Sequence, residues 1–250
     1  MLETLRTARG VMRSLGIYYG WQQRKRPLTM DALYAHFVKS GDLVFDIGAH
    51  VGDRVAAFRR LGAKVVAIEP QRALNFVIGM MFSRDDCVVI ERVAVGRNTG
   101  DVRLMINTDN PTISTASNAF IHAAQDAPGW QGQHWDKSVR VPMTTLDALI
   151  AAHGVPAFIK IDIEGFEEEA LMGLTQPVAA LSFEFTTIQR DVAVACLERC
   201  AALGYGRFNA MLGESHVLVH ADWVSAEAIA SWLDALPQSA NSGDVYARLA

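Results

Sequence analysis

Cysteine is scarce in this chain, with only Cys87, Cys196 and Cys200 among 250 residues. An odd count, two of them one helical turn apart, gives no disulfide framework. Their apolar neighbours predict buried free thiols. No CxxC stands beside a histidine, so a zinc site has no ligand set. Long apolar runs are lacking too. None approaches the ~18 residues that span a bilayer, and the opening "MLETLRTARGVMRSLG" is too polar for a secretory leader. No charge sign dominates: a formal net charge of −4 gives no global attraction for nucleic acid or membranes. Repeats and low-complexity linkers are absent. What remains is 50% hydrophobic, enough for one large α/β domain or at most two small ones. A cytoplasmic location is expected.

Charge is nevertheless uneven. Arg6, Arg9, Arg13, Arg24, Lys25 and Arg26 face only Glu3 at the start of the chain. Such a run reads as a solvated helix followed by a basic linker, or as a patch for an anionic partner.

Apolar runs alternate with helical spacing. "DLVFDI" (42–47), "KVVAIEP" (64–70), "CVVIE" (87–91), "AFIKIDIEG" (157–165) and "AALSFEF" (179–185) read as buried strands. Helices are expected over 54–62, 72–82, 144–154, 166–174, 190–204 and 225–236. The helix at 144–154 carries a Thr144…Asp147 capping-box pattern. Strands alternating with helices predict a parallel sheet covered on both faces. Segments 205–212 and 214–220 flank Gly213 and read as an antiparallel hairpin. Residues 93–106 read as two short strands about a turn, and "SVRVPM" (138–143) as another strand. The tail "PQSANSGD" reads as loose. The expected organisation is a helical extension over 1–40, one domain over 41–236 and a tail over 237–250.

"LVFDIGAHVGDR" (43–54) then raises a chemical question. A loop that leaves a parallel strand and opens a helix sits at the carboxyl edge of the sheet, where ligands bind. Gly48 and Gly52 remove side chains that would keep a ligand off the backbone. Glu69, about 20 residues on, is placed to accept both hydroxyls of a ribose. These features suit either a nicotinamide or an S-adenosylmethionine site. A dinucleotide cradle wants G-x-G-x-x-G, and His50 stands where its second glycine belongs. The pattern therefore leans towards a sulfonium cofactor, with Asp46 as partner of its ammonium. A plain glycine turn in an α/β domain is the alternative.

"FIKIDIEGFE" (158–167) interleaves Lys160, Asp162 and Glu164 with isoleucines, placing the charges on one face. Buried unpaired charges are too costly there, so they are expected at the strand's carboxyl end beside the first site. A structural Lys160–Asp162 pair, or Glu164 as a helix cap, is the competing reading.

Together "DIGAHVG", "IEP", "TTLDALI", "IKIDIEGFE" and "LSFEF", in this order, resemble the FkbM-type methyltransferase family, over roughly Gly41 to Trp232. The resemblance implies a Rossmann-like class I methyltransferase fold: three layers, α/β/α, about a seven-stranded, mostly parallel sheet with one antiparallel strand. It implies S-adenosyl-L-methionine as cofactor and methylation of a hydroxyl on a sugar or small molecule; from the mild charge, no nucleic acid partner is expected. Asp46, Gly48, Ala49 and Gly52 would line the methionine end and Glu69 the ribose, with His50 and Pro70 completing that wall. His50 departs from the asparagine commonest in the family. Lys160, Asp162 and Glu164 would act near the acceptor.

An alcohol is a poor nucleophile at neutral pH, so a base is expected. Asp162 and Glu164 are first candidates, with Glu184 and His50 behind them. No metal is expected, although Asp162, Glu164 and Glu184 would suit a hard cation if they converged. In "PTISTASNAF", Thr112, Ser114 and Thr115 suit a lid over the acceptor, while Ser117 suits a helix cap. Trp130 and Trp135, around His134, suit either an acceptor clasp or loop packing. Two other functions stay open: a non-catalytic cofactor-binding module, and an NAD-dependent oxidoreductase.

Overall fold

The computed structural model describes residues 2–20 and 25–249. Arg24, counted in the basic segment, lies outside them. The chain opens with α1 (Leu2–Tyr19) and α2 (Arg26–Tyr34). Then β1 (Leu43–Ile47), α3 (Asp53–Arg60), β2 (Lys64–Ile68), α4 (Arg72–Met81) and β3 (Val88–Glu91) follow as the sequence predicts. The middle holds β4 (Ala94–Val95), β5 (Gly100–Ile106), α5 (Asn118–Gln125), β6 (Lys137–Thr144) and α6 (Leu146–His153). The last part is β7 (Phe158–Ile161), α7 (Glu167–Met172), β8 (Ala180–Thr186), α8 (Arg190–Ala202), β9 (Tyr205–Leu212), α9 (Ala226–Ala235) and β10 (Ser242–Leu249).

Seven strands form one sheet in the order β3-β2-β1-β7-β8-β10-β9. Pairing is parallel from β3 to β8, and only β10 runs against its neighbours. One face buries Phe45, Ile47, Ile159, Ile161 and Phe183 under α6 to α9. The other buries Val44, Val65, Phe158 and Tyr246 under α2, α3 and α4. The result is the expected three-layer, Rossmann-like α/β/α fold with one reversed strand. Alternate strand residues feed opposite cores, which is why the strands read as unbroken apolar runs. A smaller sheet, β4-β6-β5, stands beside it. The two short strands over 93–106 form, but each pairs with β6 and not with the other.

The reversed pair differs from the expected hairpin. Residues 214–220 form turns, with Val217 65% exposed and His216 at φ 54. Such a residue cannot continue a strand. Instead β9 pairs with β10, from the segment read as a loose tail. Its Gly243 is required there, since a Cβ would meet the Met211 carbonyl oxygen at 2.0 Å. The α6 cap also moves by one residue. Thr145, not Thr144, accepts the Ala148 N–H at 3.1 Å, because Thr144 is held in β6. The basic linker is revised too, since Arg26 opens α2 and pairs with Asp53 and Glu214. Cys196 and Cys200 are buried free thiols, as expected; Cys87 is part-exposed.

Candidate functional site

The carboxyl ends of β1, β2 and β7 open into a cleft with about 820 Å³ of free space, its solvent mouth included. Of the sequence-predicted residues, Asp46, Gly48, Ala49, His50, Glu69, Pro70, Lys160, Asp162 and Glu164 line it. Gly52 does not. It sits at φ 79 as the residue before α3, and turns the chain into that helix.

Gly48 serves a purpose other than ligand access. At φ 85, its Cβ would lie 1.9 Å from the Asp162 carbonyl oxygen. The loop after β1 and the loop after β7 therefore touch backbone to backbone, which only glycine permits. Gly48→Ala must force these loops more than an ångström apart. We expect kcat/KM to fall about 10²-fold, the usual effect of such a misplacement; steady-state kinetics checks it.

Four N–H groups of this loop are spent within the protein. Those of Gly48 and Ala49 donate to the Ile68 carbonyl at 2.9 and 3.0 Å. That of Gly52 donates to Ala49, and that of His50 donates to the Glu69 carboxylate at 3.0 Å. Glu69 also accepts the Gln71 N–H at 2.7 Å, so two backbone donors fix its orientation. Burial nonetheless pushes its pKa up to about 8. Asp46, 2% exposed at the end of β1, has an Oδ2 without a partner, and burial pushes its pKa up to about 7. His50 holds φ 49 and lies edge-on to Tyr18 at 5.3 Å. Burial lowers its pKa to about 4, so the ring is neutral at physiological pH and a weak base.

Lys160 is 1% exposed inside the sheet, in register with Asp46. Its Nζ donates to Asp162 at 3.0 Å and to Asp244 of β10 at 2.9 Å. The structural pair weighed against a catalytic lysine is thus present, with a second acid. Asp162 and Glu164 follow β7 in the loop, Glu164 at φ 56. Glu164 does not cap α7; the carboxylate reaching back over that turn is Glu167, which accepts the Ile163 N–H at 2.9 Å. Glu184 of β8 completes a convergence. Asp162, Glu164 and Glu184 each bring an oxygen within 4.8 Å of the others, the arrangement a hard cation would require.

Their proton affinities diverge. Burial works to raise Asp162, but Lys160 and then Arg54 outweigh it and hold the carboxyl below its ordinary value. At Glu164 burial, then the charge of Asp162, raises the pKa well above normal. Glu184 is raised by burial, then by Asp162 and Glu164. The cluster thus sets an aspartate of lowered pKa beside two glutamic acids of raised pKa, the kind of split that assigns distinct acid and base roles.

Tyr18 and Arg54 line the cleft without having been singled out in the sequence. Tyr18 arrives from α1 and packs against the cofactor loop, and Tyr19 donates to the Val51 carbonyl at 3.3 Å. Arg54 lines the cleft but is bound by Asp53 at 2.6 Å and Glu214 at 2.7 Å. Thr112 and Ser114 reach the cleft, as the lid reading has it. Thr115 is buried and donates to the Glu164 carbonyl at 2.7 Å. Ser117 caps α5, accepting the Phe120 N–H. Trp130 and Trp135 pack edge-on against Phe120, and Trp135 donates to Ile113, which supports loop packing and not a clasp. His134 is exposed.

Among curated proteins, none matches the chain. Solved structures similar to it include precorrin-6Y C5,15-methyltransferase from Geobacter metallireducens, at 10% identity and TM-score 0.42, covering 90% of this chain and 87% of that one. A TehB-like SAM-dependent methyltransferase from Corynebacterium glutamicum shows 12% identity and TM-score 0.45, over 93% and 98%. An rRNA methylase from Streptococcus thermophilus shows 13% and 0.44, over 91% and 99%. The family described as Methyltransferase FkbM domain matches residues 46–233. That match runs from the cleft aspartate of β1 into α9, and the chain belongs to the FkbM family of S-adenosylmethionine-dependent methyltransferases.

Proposed function

We propose that the protein methylates a hydroxyl of a sugar or small molecule, using S-adenosylmethionine held in the cleft. The observation that carries this reading is the state of the cofactor loop. Its Gly48, Ala49, His50 and Gly52 N–H groups are already bonded within the chain, so those four are not offered to a pyrophosphate, and the carboxylate of Asp53 stands in the first turn of α3. The wall is acidic instead, with Asp46, Glu69, Asp162 and Glu164, while Lys160 and Arg54 are committed to carboxylates. Such carboxyl groups can ionise as a ligand bearing an ammonium and a sulfonium binds, and they would repel a pyrophosphate. This counts against the nicotinamide alternative.

The residues fit the cofactor in sequence along the cleft. Glu69, aimed by two backbone donors, would accept the ribose hydroxyls, and the unpartnered Oδ2 of Asp46 would take the ammonium directly or through water. When bound, the cofactor supplies an electrophilic methyl on a good leaving group. The protein then has two tasks: to align the acceptor, and to take its proton. Asp162, held below its ordinary pKa by Lys160 and then Arg54 against the effect of burial, would take it, with Glu164 and Glu184, both raised by burial and then by Asp162, beside it.

Calorimetry with S-adenosylmethionine, S-adenosylhomocysteine and NAD in turn is expected to give binding for the first two alone. Asp162→Asn should lower kcat about 10²-fold or more, the usual contribution of a base, and Glu164→Gln less. Cofactor affinity should change little in Glu164→Gln. Full turnover in both amides, with cofactor still bound, would remove the carboxylates from the chemistry. Methylation confined to amine acceptors would overturn the choice of oxygen.

A further inference from the structure

Helices α1 and α4 lie side by side, Val11, Leu15 and Tyr18 packing with Ala73, Leu74 and Val77. Their outward faces are uncovered and apolar: Leu5 is 61% exposed, Met12 66%, Phe76 66% and Met80 64%. Single exposed apolar side chains are ordinary, but several on two adjoining helices form a patch that calls for a partner. Arginines surround them. Arg9, Arg13, Arg72 and, just beyond α4, Arg84 are all exposed. Arg6 is committed to Asp109 and Asp136, and Arg13 reaches only a backbone oxygen of Asp109. Glu3 is the one acid within α1 and α4; beyond α4, Asp85 pairs with Arg59 and Asp86 is exposed beside Arg84.

We propose that the α1–α4 face seats the protein on an anionic lipid bilayer. Charge complementarity selects this occupant. Guanidinium groups meet lipid phosphates while Met12, Phe76 and Met80 enter the boundary between headgroups and acyl chains. A second copy would set the same arginines against each other across a two-fold axis. The association is peripheral, since no helix among the described residues is long and apolar enough to cross a membrane. The site is distinct from the cleft, which none of Arg9, Arg13, Phe76 and Met80 lines.

Sedimentation of the full chain with vesicles tests it. The protein should pellet with vesicles of equal parts phosphatidylglycerol and phosphatidylcholine and stay free with phosphatidylcholine alone. High salt should release it. Each arginine removed should weaken partitioning about fivefold, so R9Q with R13Q should weaken it about 25-fold. F76S with M80S should also weaken it, with cofactor affinity unchanged. Equal binding to neutral vesicles, no binding at low salt, or partitioning indifferent to these variants overturns the proposal. So does a dimer that F76S with M80S abolishes, which would give the face to a second copy.

Discussion

Glu69→Ala is expected to raise the dissociation constant for S-adenosylmethionine by about 10²–10⁴-fold. Two ribose hydroxyls on one carboxylate make two charge-assisted hydrogen bonds, at about 1.5–3 kcal/mol each. The same carboxylate also holds the N–H groups of His50 and Gln71, so its loss frees the loop as well. A pH series separates the two effects. The hydroxyls are best accepted by the ionised form, and burial places that ionisation at about 8. Wild-type affinity should therefore climb with pH and level off above about 8. Glu69→Ala should keep only a shallower rise near 7, from Asp46. Stability of the free protein should move the opposite way. Both folded-state pKa values lie above their unfolded values, so the stabilisation is full below about 4, falls as pH rises, and is gone once pH has passed the folded values of about 7 and 8. Calorimetry and thermal melts across pH check both slopes. A Glu69→Ala affinity within threefold of wild type would place the ribose elsewhere.

Lys160→Met should unfold far more easily, by about 3–5 kcal/mol near neutral pH, because it leaves buried acids without their cation. Asp244 and Asp162 lose an ammonium at 2.9 and 3.0 Å, and Asp46 stands in register beside it. The deficit should be pH-dependent. Burial already raises Asp244, and removal of Lys160 raises it further. In acid the carboxyls are neutral in both folded and unfolded chains and the variant approaches wild type; as pH rises the gap opens. Adding Asp244→Asn should recover part of the loss. Denaturant melts at acidic and neutral pH would show this, and a pH-independent deficit would mean that Lys160 acts by packing alone.

Much of this was legible in the chain. Parallel strands announce themselves because both faces are buried, as in "LVFDI" and "KVVAI". The cleft was readable at Asp46, Gly48 and Glu69, since loop and strand-end positions follow from local order. What failed depended on distant partners. "SGDVYARL" reads as loose because serine, glycine and aspartate are poor strand formers. Yet Gly243 answers the Met211 backbone and Asp244 answers Lys160. "ESHVLVH" reads as a strand, but Glu214 is drawn to Arg26 and Arg54 and His216 turns left-handed. Tyr18 belongs to a segment with no chemical signature, and only the docking of α1 brings it to the cleft. The convergence of Asp162, Glu164 and Glu184 was conditional for the same reason, since it needs two adjacent strands.

The placement of β10 has a consequence for biogenesis. It is the last strand of the domain to emerge from the ribosome, yet it lies between β8 and β9 and carries the second counter-ion of Lys160. Until it arrives, the nascent sheet exposes two unzipped edges, and the lysine at its centre is half-neutralised. Lys160 therefore gains its full set of counter-ions only once β10 is in place, and the waiting edges make that interval the one in which chaperones matter most.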